Sequence, residues 1–247
     1  MEIIDDIKPI GVASRVVHAP FDKALESLTE NGYDVISLPQ NAQLRIQQGK
    51  NSYISKNGNW TREGILYVPN GKPKLVRNSP ILNSAREATE AHRNGNEFYP
   101  TPEQVEKALV DSVDFPTQNI EIPADRFTEE PLTIYAFGGE EQARAYGEFL
   151  KNAGIQKMSV WAVDKGHVNK QSQPFARQMW LWYLDLESLL IGYYWFLDND
   201  YWLRGVKVGA EGTAQNSESY TPKQISKVLN ELKICGLETQ ILDRLKR

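Results

Sequence analysis

The sequence predicts a mixed α/β (α+β) fold, and three features predict it. A strand–helix–strand pattern runs from Leu132 to Val163, Asn-Gly turns separate β-favouring runs before Arg77, and amphipathic segments with recognisable helix starts are interleaved with both.

Taken in order, Ile10–Val17 reads as a strand, and Pro20 then suits a first helical turn. Phe21, Ala24, Leu25 and Leu28 follow at helical spacing until Asn31-Gly32 stops the helix. Tyr33–Leu38 reads as a strand and Asn41–Gln47 as a short helix. Between Ser52 and Val76 the turn signals Lys56-Asn57-Gly58-Asn59 and Pro69-Asn70-Gly71-Lys72 predict small antiparallel hairpins, with Tyr53-Ile54-Ser55 as β structure. Ser84-Ala85-Arg86-Glu87 and Thr101-Pro102-Glu103-Gln104 have the form of helix starts with capping boxes, and Asn94-Gly95 closes the first. Thr221-Pro222-Lys223-Gln224 repeats that start near the end of the chain, read as a second use of one good cap.

Three prolines (Pro116, Pro123, Pro131) make the stretch after Asp114 the best domain boundary. It separates an N-terminal α+β region, 1–115, from a second region, 116–247, or forms a long connection within one continuous domain. Within that stretch Asn119–Ile122 reads as a strand. Beyond it Leu132–Phe137 reads as a buried strand, Glu140–Lys151 as a helix and Lys157–Val163 as a strand, forming a βαβ unit with a parallel pair. Gln178–Leu184, Ile191–Leu197 and Tyr201–Val208 continue as an antiparallel, aromatic-rich meander. A polar loop, 209–220, and two helices close the chain.

Composition narrows the class. The chain has 247 residues, 40% hydrophobic and 24% charged, as in an ordinary folded protein. Its acidic start, Met1-Glu2-Ile3-Ile4-Asp5-Asp6, lacks the basic and apolar regions of a signal peptide. The longest apolar run, Met179–Leu184, is far short of the roughly 20 residues of a membrane span. A cytoplasmic protein without a membrane partner is expected. One cysteine, Cys235, forms no internal disulfide and reads as a buried thiol. His18, His92 and His167 are widely separated, so no Cys/His metal site is expected, while an all-carboxylate site stays open. The hydrolase elbow, the Walker loop and the dinucleotide fingerprint are absent, and no cofactor is expected.

Charge is unevenly spread. Residues 43–77 carry seven basic side chains (Arg45, Lys50, Lys56, Arg62, Lys72, Lys74, Arg77) against the one acid Glu63, together with Tyr53 and Trp60. Residues 86–148 carry fourteen acids against five basic residues. A basic, aromatic hairpin surface suits phosphate contact and base stacking, so the leading expectation is a binding protein for an anionic partner, nucleic acid above all. The alternative is a solvated edge sheet whose charge the acidic segment folds back to neutralise. A second candidate lies at the carboxyl ends of the βαβ strands, where Asp164, Lys165, His167 and Arg177 would serve a small hydrolase or transferase, or form an ordinary loop. A third expectation is an assembly subunit meeting a protein partner. The aromatic block from Trp180 to Trp202 reads mainly as core, with one or two rings left to line a pocket, and Asp198-Asn199-Asp200 as a turn.

Overall fold

The computed structural model describes residues 1–7, 12–184, 188–192 and 196–208. The chain divides into two compact units, Met1–Asp6 with Ser14–Lys207, and Ile7–Ala13 with Val208–Arg247. The second unit lies almost wholly outside the described residues, as do Cys235, the loop after Gly209 and both expected C-terminal helices.

In chain order the elements are β1 (Glu2–Ile7), β2 (Val12–Ala19), α1 (Phe21–Glu30), β3 (Asp34–Val35), α2 (Leu38–Gln48), α3 (Tyr53–Lys56), β4 (Asn59–Tyr67) and β5 (Lys74–Val76). There follow α4 (Ala85–Arg93), α5 (Pro102–Leu109), β6 (Ser112–Asp114), β7 (Ile120–Pro123), α6 (Pro131–Phe137), α7 (Glu140–Asn152) and β8 (Lys157–Trp161). The last are α8 (Lys165–Asn169), β9 (Phe175–Leu181), β10 (Ser188–Ile191) and β11 (Tyr201–Val208). Among the described residues the strands form one sheet of eleven, ordered β1-β2-β11-β4-β9-β10-β8-β7, with β3, β5 and β6 joined at its sides. The fold is therefore α+β with a mixed sheet, and no helix among the described residues is long and apolar enough to cross a membrane.

The sheet is packed on both faces. Met179 and Leu181 of β9 enter one core with Phe137, Ala143 and Tyr146 of α6 and α7, whereas Ala176 and Trp180 enter the other with Phe21 and Leu28 of α1 and Ala88 of α4. This two-residue alternation is what a central strand covered on both sides requires. The β4–β5 hairpin follows its turn chemistry, with Ile65 opposite Leu75 and Asn70 at a φ of 56° in the turn.

Several local expectations are corrected. Leu132–Phe137 is helical, because Pro131 stands in the first turn and Gly138, at a φ of 87°, ends the helix. Its buried residues, Leu132, Thr133, Ala136 and Phe137, fall on one helical face. No βαβ crossover therefore spans 132–163. The parallel partner of β8 is β10, Ser188 facing Met158. Nor is the aromatic region a meander, since β11 leaves β10 and runs parallel to β4 between β2 and β4. Tyr53-Ile54-Ser55 lies in α3, held by the Ser52 and Ser55 hydroxyls bonding the Gly49 carbonyl, which draws the backbone out of a strand. The expected strand Tyr33–Leu38 shrinks to β3 because Ser37 and Gln40 form a capping box that starts α2 early. Thr101 and Gln104 make the predicted box, whereas Ser84 does not cap α4 and instead accepts a bond from Gln104 Nε2. Strands from before and after residue 115 share the sheet, as β4 and β9 do.

One close approach fixes how α7 meets the turn after β7. A Cβ at Gly147 would lie 2.2 Å from the Ala124 carbonyl oxygen. Gly147→Ala is expected to destabilise the protein by about 1–3 kcal/mol, read as a lowered urea midpoint with unchanged m-value.

Candidate functional site

The basic segment does not form one outward patch. Arg45 is fully buried, its guanidinium donating to the Tyr146 hydroxyl at 3.2 Å and to the Trp182 carbonyl at 2.7 Å. Trp60 is buried in the second core, and Tyr53 lies half-buried beneath the Arg204 guanidinium. The Lys72 and Lys74 ammonium groups both donate to Asp114, and these two partners hold its carboxyl down at about 2. Arg77 stacks on the Tyr135 ring at 4.0 Å and approaches Glu63 and Asp111 at 3.7 and 3.8 Å. Lys50 donates to the Ala153 carbonyl, Arg62 is half-buried on β4, and Lys56 is exposed. The acids Asp111 and Asp114 come from the acidic segment, so that segment does fold over part of the basic one.

The group around His167 has a different centre from the expected one. Past the end of α4 the chain turns at Gly95 (φ 71°), Phe98 pairs with Ala176 of β9, and this brings Glu97 against Arg177. Both are buried, and the guanidinium binds the carboxylate through Nε and Nη2. His167 Nε2 lies 2.7 Å from Glu97 Oε1 and 3.2 Å from Gln171 Nε2, while the Tyr99 hydroxyl donates to Gln171 Oε1. His92 packs beside Arg177, and burial and that cation push its imidazole down to about 3. Asp164 is turned away, accepting the Gly166 and His167 amides as the cap of α8, and Lys165 is exposed. His167 and Arg177 thus meet through Glu97, which sequence reasoning missed because the pairing depends on the Phe98–Ala176 bridge. The arrangement is a buried ion pair with a partly exposed imidazole at its edge. It ties the loop after α4 to β9 and α8.

Glu63 is the other buried acid. One carboxylate oxygen accepts the Leu38 amide at the start of α2, and burial pushes the group up to about 7. Gln178 donates to the carbonyls of Thr61 and Glu63, where the β4–β9 register shifts.

The aromatic block divides between core and surface. Trp60 and Trp180 lie edge to face, 4.8 Å between centroids, at 1% and 2% exposure. Tyr201 packs edge-on against Trp180 at 5.5 Å, and Trp182 against it at 6.3 Å. Outward from these, Trp182 meets Tyr183 at 4.8 Å, Tyr201 meets Phe196 at 6.3 Å, and Trp202 meets His18 at 4.9 Å. Tyr183 is 37% and Phe196 43% exposed, with Trp182, Tyr201 and Trp202 half-buried. This connected set of rings begins in the core and ends in solvent. Tyr193, Tyr194 and Trp195 lie outside the described residues. The backbone beneath is pinned: Arg45 and the Leu189 carbonyl hold residue 182, Ser55 holds Leu184, and the Phe21 amide bonds the Leu197 carbonyl.

No family model and no curated protein matches the sequence. The fold is similar to that of a solved chain described as "Accommodation of massive sequence variation in Nanoarchaeota by the C-type lectin fold", at 20% identity and a TM-score of 0.59, over 79% of this chain and 97% of that one. At that identity the likeness is one of fold, and it places helices and a mixed sheet in a C-type-lectin-like arrangement.

Two stability predictions follow from the buried acids. Glu97→Gln removes the buried counter-charge of Arg177 and is expected to cost about 3–5 kcal/mol, against less than about 1 kcal/mol for His167→Ala, both read from urea denaturation. Because the folded Glu63 carboxyl binds its proton up to about pH 7 while its ordinary value is 4.5, the folded state holds more protons between these values. Stability therefore falls as pH rises through that window, by at most about 1.4 kcal/mol per pH unit from this group, and Glu63→Gln flattens the slope.

Proposed function

We propose that this chain is a binding protein that meets a protein partner through the ring surface of Trp182, Tyr183, Phe196, Tyr201 and Trp202. The observation that carries this reading is the exposure of Tyr183 and Phe196 at the outer edge of a ring network rooted on the buried Trp60–Trp180 pair. Large rings left in solvent cost hydration free energy unless something covers them, and such side chains dominate the energetics of protein interfaces. Their backbone is held by Arg45, Ser55 and Phe21, so the rings are presented with little ordering left to do on association. The likeness to a chain described as "Accommodation of massive sequence variation in Nanoarchaeota by the C-type lectin fold" supports a binding role, in that a fold tolerant of sequence variation can carry different contact surfaces. The dispersal of the basic segment 43–77 into buried contacts and ion pairs favours this surface over the hairpin as the contact region.

Truncating a ring at the centre of such a surface typically costs more than about 1 kcal/mol of binding. Tyr183→Ala and Phe196→Ala are each expected to weaken capture of a protein partner about five- to thirtyfold while leaving the thermal midpoint nearly unchanged. The measurement is pull-down followed by titration of the captured protein against wild type and both variants. Unaltered affinity in both would remove the ring surface as the contact. Retention on single-stranded oligonucleotide that both variants abolish would make the partner class nucleic acid.

A further inference from the structure

We infer that the partner presents a cation, a lysine or arginine side chain, to the rings at Phe196, Tyr201 and Trp202; this rests on the reading of the ring surface as a binding face. The Phe196 and Tyr201 rings stand 6.3 Å apart and tilted by 35°, and Tyr201 and Trp202 stand 6.5 Å apart and nearly perpendicular. The chain between Phe196 and Tyr201 is Leu197-Asp198-Asn199-Asp200. Leu197 is buried and anchored to α1, so the turn projects outward, with Asn199 and Asp200 exposed and Asp198 half-buried. Two carboxylates thus lie in the loop that joins two of the rings, and among the described residues neither enters an ion pair.

An aromatic face is electronegative, and a guanidinium or ammonium within about 6 Å of a ring centroid is attracted to it. The carboxylates add a charge of the same preference. Among the described residues, three cations of this part of the sheet have partners of their own. Arg204 is buried against Ser14 and over Tyr53, and Arg15 and Lys207 both stack over Tyr33. A phosphate or an acidic peptide would meet both the ring faces and the carboxylates unfavourably, and the formal net charge of −4 acts in the same direction at long range. Rings and carboxylates together therefore select a positive group, the reverse of what the charge distribution along the sequence suggests.

The test is selection of peptides from a random displayed library on the full chain, followed by titration of the recovered peptides against wild type, Phe196→Ala and Asp198→Asn/Asp200→Asn. The inference expects peptides enriched in Lys or Arg. It expects their affinity to fall about two- to fivefold in Phe196→Ala and about five- to tenfold in the double variant at low salt, with the wild-type affinity itself weakening as ionic strength rises. Tetramethylammonium, a cation without hydrogen-bond donors, should compete. Peptides lost in Phe196→Ala yet lacking cationic enrichment and indifferent to the double variant would overturn the cation while leaving the ring surface as the binding face. Peptides indifferent to Phe196→Ala would overturn both. Circular dichroism and the thermal midpoint of each variant establish that it is folded, and Phe196→Leu serves in place of a variant that is not.

Discussion

The antiparallel pairing of β4 with β9 is the constraint on which the rest depends. Both strands are buried along nearly their whole length and covered on both faces. A polar side chain in such a pair either finds a partner inside the protein or costs several kcal/mol of lost hydration. Glu63, Arg177 and Gln178 all lie there, and each has a specific answer. Glu63 accepts the first amide of α2, Arg177 binds Glu97, and Gln178 bonds the carbonyls that the register shift between Trp60 and Gly64 turns away from the ladder. These contacts reach out to α2, to the loop after α4 and to α8, so the polar groups of the central strands also locate the elements around them.

The same pairing sorts the aromatic residues. While β9 continues as a strand, alternate residues go to opposite cores, and Trp180 is committed to the interior with its cross-strand partner Trp60. At Leu181 the strand ends, the alternation lapses, and Trp182 and Tyr183 emerge. Tyr201, at the first position of β11, spans the transition, touching Trp180 inside and Phe196 outside. A surface built this way inherits its rigidity from the core. Side chains set on so firmly held a backbone have less freedom to lose in any contact made there.

Features written in adjacent residues were legible in the sequence. The Pro69-Asn70-Gly71-Lys72 turn, the Thr101 capping box and the stop at Asn31-Gly32 depend on three or four neighbouring side chains, and each appears as read. Where two local signals compete, strand propensity and helix-end chemistry point to different structures. Leu132–Phe137 has the β-branched and aromatic content of a strand, but Pro131 and Gly138 bracket it as one short helix, and terminal chemistry outweighs propensity over so short a segment. Ser37 and Gln40 carried a capping box that strand-like residues before it obscured. Contacts made across the fold were not legible at all. Glu97 is one of fourteen acids in its segment, and only the bridge from Phe98 to Ala176 distinguishes it.

Charge shows why a linear excess is a poor guide to a surface. Of the seven cations between Gln43 and Arg77, Arg45 is wholly buried, and Lys72, Lys74 and Arg77 lie against Asp114, Asp111 or Glu63. Segments of opposite charge in one chain attract one another as it folds, so the stronger the contrast along the sequence, the more of it is consumed internally. Asp198 and Asp200 lie outside both segments, and among the described residues neither enters an ion pair. Two carboxylates in the loop between two rings weigh little in a composition count, yet toward a group docked at that loop they would act at short range, whereas Coulomb attraction between exposed charges fades within about 10 Å at 0.1 M salt.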